Sequence, residues 1–306
     1  MDRRYFLRSV LGLSALRIAE SASSRVPVAE PADGGTLLAE AASPTAQGQA
    51  PQDSIALSSG LRDLDRLTNG LAPGSLIVVA SRPSMGKSLL VFQIADQIAR
   101  AERRAVAIVC AQDGVATVAE RLVSVRTGVW PRHFHIQRDG GEMASSVALA
   151  QVATVPILLD DTPGLTVGEI ANRTTRFVSE RSVPLGAIIV DGIDVLVSGR
   201  GRSASDCVTA QLRSLARGLG VPVIITAQVN RAVEQRQDHR PRVTDFNDPY
   251  AAFVRAADMV ITIYRDEIYH IDSPDAGLAE LTLFSNHIRK QGMVKVRLRE
   301  GRFRDS

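Results

Sequence analysis

Cysteine and lysine are scarce in this chain of 306 residues, and no apolar run is long enough to cross a bilayer. The two cysteines, Cys110 and Cys207, lie in apolar or helical contexts and form no motif. That excludes a disulfide scaffold and points to two reduced, buried thiols. Lysine occurs only at positions 87, 290 and 295, so the basic side chains are nearly all arginine. The net charge is slightly positive, +3, and the isoelectric point is basic. That balance is compatible with a nucleic-acid partner without requiring one.

What is present is a phosphate-loop pattern. Residues 81–88 read SRPSMGKS, against the general G-x-x-x-x-G-K-[ST], with a serine in place of the opening glycine. Before it, LIVVA (76–80) follows Pro73-Gly74 and reads as a buried parallel strand. After it, Leu89, Leu90, Phe92, Ile94 and Ile98 form a helical stripe with polar residues opposite. The loop therefore joins a strand tip to a helix N-terminus, where free N–H groups and the helix dipole favour an anion. The candidate nucleotide-binding residues are Ser81, Arg82, Pro83, Ser84, Met85, Gly86, Lys87 and Ser88. Gly86 admits close approach of the backbone, Lys87 reaches the β- and γ-phosphates, and the Ser88 hydroxyl is a ligand for Mg²⁺. AIIVD closes on Asp191, the expected acidic partner for Mg²⁺; the alternative is an Asp capping the turn at Gly192. VPVIITAQ ends at Gln228, either a sensor of the γ-phosphate or a surface amide.

Apolar runs recur at 76–80, 105–111, 155–161, 187–192, 221–228 and 258–264, separated mostly by helical patterns such as EIANRTTRFVSER and VTAQLRSLARGLG. This alternation predicts an α/β fold, a P-loop NTPase with a mostly parallel sheet and helices on both faces. ELTLF and VKVRLRE read as two further strands. One domain is expected over 55–306. Residues 1–54 are expected to be a low-complexity tail, rich in Ala, Ser, Pro, Gly, Glu and Gln after about Ile18. The first residues, MDRRYFLRSVLGLSAL, have the outline of a twin-arginine export signal. Against that, the apolar stretch is short, Arg17 interrupts it and no clear A-x-A site follows. The other reading is a short amphipathic helix or a remnant of a lost N-terminal domain. An enzyme that uses ATP is expected in the cytoplasm.

The stretch SGLRDLDRLTNGLAPGSLIVVASRPSMGKS resembles the start of the C-terminal ATPase domain of the DnaB family of replicative DNA helicases. LLDDTPGLTVGEI, AIIVDGIDVL, VPVIITAQVNRAVEQRQDHRP and YRDEIYH follow in the family's order. The resemblance covers about residues 55–306. It implies a RecA-like fold, a hexameric ring with ATP between subunits, and movement along single-stranded DNA. Set against the family, the usual helical N-terminal domain is expected to be missing, with the tail in its place.

Departures from the family qualify what it implies. Where the family carries a Glu that polarises the attacking water, this sequence has Gln112. An amide accepts no proton as a carboxylate does, so hydrolysis is expected to slow by about 10²–10⁴-fold. Asp113 is adjacent, but along a strand it would face the other side. The family's Lys-Gln-Arg segment, which reaches a neighbour's γ-phosphate, reads Ser285-Asn286-His287 here, with Arg289 and Lys290 as nearby substitutes. Such a cation in trans is worth about 10³–10⁵ in rate. In the DNA-facing loops the family's Arg-Glu-Ser-Gly corresponds to Asn247-Asp248-Pro249-Tyr250, and the Asp would repel phosphates. Arg200 and Arg202 form a basic stretch suited to a DNA backbone or simply to solvent, and Arg231 and Arg236 match the family in a binding or a structural role. Two readings stand. One is a helicase ATPase with weakened turnover. The other is a catalytically degenerate ATP-binding subunit that joins a helicase ring or regulates one. A different RecA-like ATPase, such as a recombination factor, fits the family-specific stretches less well.

Overall fold

The computed structural model describes residues 17–18, 55–110, 112–129, 153–197, 202–285 and 291–306. The strands are β1 (Arg17–Ile18), β2 (Leu76–Ser81), β3 (Ala105–Val109), β4 (Ile157–Asp160), β5 (Leu185–Val190), β6 (Val223–Gln228), β7 (Met259–Tyr264), β8 (Leu278–Ser285), β9 (Gln291–Arg299) and β10 (Arg302–Asp305). The helices are α1 (Arg62–Thr68), α2 (Lys87–Arg100), α3 (Gly114–Thr127), α4 (Val167–Arg181), α5 (Asp194–Val197), α6 (Arg202–Leu219) and α7 (Tyr250–Ala256). One ten-stranded sheet has the order β1-β4-β3-β5-β6-β2-β7-β8-β9-β10. Pairing is parallel from β1 through β7 and antiparallel from β7 through β10.

The expected α/β architecture is therefore present, and the cause is visible in β2. All six of its residues are buried. Ile77 and Val79 join one core with Leu90, Phe92 and Ile94 of α2. Leu76, Val78 and Ala80 join a second core on the other face, with Leu212 and Ala216 of α6 and Phe253 of α7. A strand covered on both faces needs an unbroken apolar run rather than alternation. Each fully buried Leu, Ile or Phe contributes about 1.5–3 kcal/mol. Helix α4 starts at a capping box. Thr166 Oγ1 accepts from the Glu169 N–H at 3.2 Å, and the Glu169 carboxylate accepts from the Thr166 N–H at 2.8 Å. Helices α2 and α3 are tied by the buried Arg126–Asp96 pair at 2.7 Å.

Some boundaries differ from the sequence reading. β3 stops at Val109 and the chain turns at 112–113, so these residues are not on a strand. β4 is shorter than the run 155–161, because Pro156 and Asp161 flank it. β10 was not expected. Gly301, at φ 68, turns the chain back so that Phe303 pairs with Leu298. The two-residue β1 pairs with Leu158 and Leu159 inside the span read as a tail, and two residues are too few for any periodicity. Cys110 is buried, but Cys207 is exposed, correcting the expectation of two buried thiols. Val208, Leu212 and Ala216 form the inward stripe of α6, and residue 207 falls beside it. Among the described residues no helix is long and apolar enough to cross a membrane.

The topology gathers the carboxyl ends of β3, β5, β6 and β2, which are neighbours in the order β3-β5-β6-β2. In an open parallel sheet that edge is where ligands sit.

Candidate nucleotide site

The serine at the head of the loop needs no glycine. Ser81 is the last residue of β2, in register with Gln228 of β6 and Ile263 of β7, with extended rather than left-handed backbone. It is fully buried, and its Oγ donates to the Arg82 carbonyl at 2.8 Å. Left-handed backbone occurs instead at Ser84 (φ 67) and Gly86 (φ 101). A Cβ on Gly86 would stand 2.9 Å from the Phe303 ring, so both φ and space require glycine there. Met85 is buried in the core beneath the loop, whereas Pro83 and Ser84 are exposed. Lys87 and Ser88 open α2, so the loop ends at a free helix N-terminus.

Arg82 has a different placement from the one its position in the motif suggests. Its side chain is buried, with Nε donating to Glu234 Oε1 at 2.8 Å and Nη1 to the Val229 carbonyl at 2.9 Å. The guanidinium thus braces the loop against the segment after β6. Arg265 braces it from the other side, donating to the Ser84 carbonyl at 3.1 Å while paired with Glu267.

Asp191 lies one residue beyond β5 and is buried. Its Oδ1 accepts from Ser88 Oγ at 3.0 Å and from Thr226 Oγ1 at 2.7 Å. Burial pushes its carboxyl up, while the Thr226 and Ser88 hydrogen bonds and the charges of Lys87 and Arg121 pull it back. Thr226 also accepts from the Gly192 N–H at 2.6 Å, so one hydroxyl holds both the acid and the following turn. Sequence reasoning missed Thr226; its signal was a polar residue inside the apolar run VIITAQ. The Ser88 hydroxyl and the Asp191 carboxylate converge as hard oxygen donors, which fits Mg²⁺. Among the described residues no group of three or more His, Cys, Asp or Glu is arranged for a metal. Two protein oxygens suit an ion that takes its other ligands from phosphates and water.

The Gln112 amide packs on Gly192, the residue after this acid. Its Oε1 is 2.5 Å from where a Cβ on Gly192 would be, and Nε2 donates to Asp194 Oδ2 at 3.2 Å. The other oxygen of Asp194 accepts from the Tyr250 hydroxyl. Asp113 precedes the first turn of α3 and is paired with Arg121. The strand-alternation argument for Asp113 does not apply, because the strand has already ended. Gln228, half-buried, ends β6 opposite Ser81. Asp194 was not singled out from sequence and Tyr250 was read only as part of a DNA-facing loop, since their contact spans 56 residues; Arg121 was missed although its partner Asp113 is only eight residues away.

The candidate DNA-binding residues divide. Arg231 is exposed at the start of a short 3-10 turn, Arg231–Gln235. Arg236 makes a two-pronged pair with Asp245, at 2.6 and 2.8 Å, and also donates to the carbonyls of Asp238 and Arg240. It is a brace within its own loop. Arg202 begins α6, with only its backbone described, while Arg200 and the cation candidates Arg289 and Lys290, with Asn286 and His287, lie outside the described residues. The segments 221–241 and 264–270 pack on each other. His239 stacks on Tyr269 at 4.2 Å, and Arg240 lies 4.6 Å from the Tyr264 ring centre while pairing with Glu280 at 2.5 and 2.8 Å.

Comparison with known proteins agrees with this geometry. The family described as "DnaB-like helicase C terminal domain" matches residues 56–303. The replicative DNA helicase DnaC of Bacillus subtilis (strain 168) is 31% identical over 254 residues, 80% of this chain and 55% of its own length. The replicative DNA helicase DnaB of Leifsonia xyli is 32% identical over 247 residues, 78% of this chain and 53% of its own length. The chain thus spans about half the length of the curated relatives it matches. Among solved structures, a chain described as an ATPase domain superposes with a TM-score of 0.71 at 23% identity, covering 84% of this chain and 93% of that one. A DnaB-like replicative helicase, studied for its interactions with primase, superposes with a TM-score of 0.74 at 22% identity, covering 89% and 67%. These two likenesses establish the RecA-like fold.

Proposed function

Since the chain belongs to the DnaB-like helicase C-terminal domain family, we propose that it binds Mg-ATP at the loop after β2 and acts as a helicase ATPase on single-stranded DNA in replication. The observation that carries this reading is the convergence of Ser88, Asp191 and Thr226 at the N-terminus of α2, beside Lys87. Ser88 and Asp191 would hold Mg²⁺, which neutralises charge on the β- and γ-phosphates when bound. Lys87 and the loop N–H groups bind the phosphates, and the hydrogen bond from Ser88 holds Asp191 Oδ1 toward the start of α2. Gln112 stands where a carboxylate would polarise water, so hydrolysis is slow. Arg289 or Lys290 would serve a neighbour's nucleotide in a ring, a hexamer by likeness to the family. Arg200, Arg202 and Arg231 would meet the DNA backbone. The work is cytoplasmic, where ATP is available.

A second reading is a degenerate ATP-binding subunit of a helicase ring, or a regulator of one. It is favoured by the state of the two candidates for the catalytic carboxylate, with Gln112 an amide and Asp113 paired with Arg121. ATP turnover by the full chain, with and without single-stranded DNA and beside Lys87→Ala, separates them. Turnover that rises with DNA and vanishes in Lys87→Ala supports the first. Mg-ATP binding with no turnover above that control supports the second.

A further inference from the structure

The hairpin of β9 and β10 carries four arginines on one face. Val296, Leu298 and Phe303 belong to the first core, so the alternate residues Arg297, Arg299, Arg302 and Arg304 stand on the opposite face of the two strands. The register sets Arg299 directly opposite Arg302, and Arg297 directly opposite Arg304. Glu300 and Gly301, at φ 51 and 68, make the two-residue turn that keeps the strands in this register. Arg297, Arg299 and Arg304 are exposed, and Arg302 is half-buried. Their Cβ atoms are spaced about 5 Å apart across the strands and about 7 Å along them.

Like charges directly opposite on neighbouring strands destabilise a sheet, and here both cross-strand pairs are Arg with Arg. Little acid offsets them. Arg304 is paired with the exposed Glu300 at 3.0 Å, and Lys295, on the same face, with Asp275 at 2.8 Å. Asp305 alternates with Arg304 and is engaged by Arg62, whose N–H and Nε both donate to it at 3.2 Å. Among the described residues no carboxylate pairs with Arg297, Arg299 or Arg302. Arg302 Nε is shielded from solvent and has no hydrogen-bond partner there. The hairpin therefore holds together a group of cations that its own neighbours leave uncompensated.

We infer that this face of β9 and β10 docks the phosphate backbone of double-stranded DNA, as a surface separate from the loop arginines assigned above to the single strand. Charge complementarity selects the partner. The core of a protein interface is depleted in charge and built on apolar anchors. Here the centre is four guanidiniums, and Met293, the one large apolar side chain on this face of the two strands, lies at the end of β9 away from the turn. Single-strand sites add aromatic rings on which bases stack, and the outward positions of β9 and β10 hold none. A duplex offers one negative charge per about 1.7 Å of its axis, twice the density of one strand. Guanidinium forks match phosphate oxygens in pairs. Such contacts read no bases, so binding is independent of sequence.

The surface needs no nucleotide, so the test is fluorescence anisotropy of the full chain, without ATP, on a labelled mixed-sequence duplex and on a single strand of the same length, over a series of salt concentrations. Arg297→Gln, Arg299→Gln and Arg302→Gln combined are expected to weaken duplex binding about tenfold or more near 0.1 M salt. They should also reduce the slope of log affinity against log salt by about 2–3, one unit per lost phosphate contact. The loss on the single strand should be smaller. Tm should stay level or rise, because the opposed charges are gone. The same three positions changed to Lys should keep most of the slope. Arg299→Glu, which gives Arg302 an opposite charge across the turn, should also weaken duplex binding and covers the case that the triple variant does not fold. Duplex affinity and slope unchanged in both the triple variant and Arg299→Glu overturn the inference, as does a wild type that binds no duplex. A loss on the single strand equal to or larger than that on the duplex overturns it in favour of single-stranded DNA. Loss of poly-glutamate binding with duplex binding unchanged overturns it in favour of an acidic protein partner.

Discussion

Thr226→Val is the most informative single change to the site. Valine keeps the branched outline of threonine and puts a methyl where the hydroxyl stood, so the polar contacts are what the change removes. Thr226 is fully buried, and its hydroxyl donates to Asp191 Oδ1 at 2.7 Å while accepting from the Gly192 N–H at 2.6 Å. Valine leaves the Gly192 N–H without that acceptor inside the protein, worth about 1–3 kcal/mol, and removes one hydrogen bond to a carboxylate, worth about 1.5–3 kcal/mol. The two losses share one group and do not add fully, so about 2–4 kcal/mol is expected. For a domain of this size that lowers Tm on the order of 10 °C. Asp191 also loses one of its two anchors, and affinity for Mg-nucleotide should fall about tenfold, as for one hydrogen bond. Thermal unfolding and mant-ADP titration of Thr226→Val and Thr226→Ser read both effects. Serine keeps the hydroxyl and should recover most of the nucleotide affinity. Thr226→Val indistinguishable from wild type in both assays would refute the claim that this hydroxyl ties the acid to the turn.

Arg82→Met removes the pair with Glu234 and the bond to the Val229 carbonyl; it should destabilise by about 1–3 kcal/mol in urea with a smaller proportional change in Mg-nucleotide affinity than Lys87→Ala. Phe303→Ala opens space against Gly86 and should cost about 3–5 kcal/mol, with faster proteolysis at the 83–84 loop tip as a second readout. Asp266 is held at about 2, below its ordinary 3.8, by hydrogen bonds from Ser273 and Tyr264, with His270 adding to them. Its folded value is depressed, so the stability it contributes is complete above pH about 4 and lost as pH falls toward 2. Asp266→Asn should therefore destabilise at neutral pH and narrow its difference from wild type on acidification, measured by urea unfolding at a series of pH values.

The sheet was legible because its central strands are unbroken apolar runs and its helices carry period-3.6 stripes. The loop was legible because Gly86, Lys87 and Ser88 stand at fixed spacing between two such elements. Arg82 was misleading for the same reason: within the motif it reads as a phosphate ligand, but its length lets it reach Glu234, which lies 152 residues on. Arg236 reads as a basic residue near DNA, and its charge is instead met by Asp245. Asp113 looked excluded by strand alternation, and the alternation had ended four residues earlier.

Local chemistry along the chain thus determined the fold class, the loop, and the pairing of Lys87 and Ser88 with a distant acid. It did so because periodicity and motif spacing are properties of neighbours. Only the tertiary structure decided that Thr226 anchors Asp191, that Gln112 leans on Asp194 across Gly192, and that Tyr250 completes the set. Those contacts join β6, the turns after β3 and β5 and the starts of α5 and α7, which the fold brings together from far apart in sequence. A hydrogen bond depends on a few tenths of an ångström, and that precision exists only once the strands are paired and the helices packed.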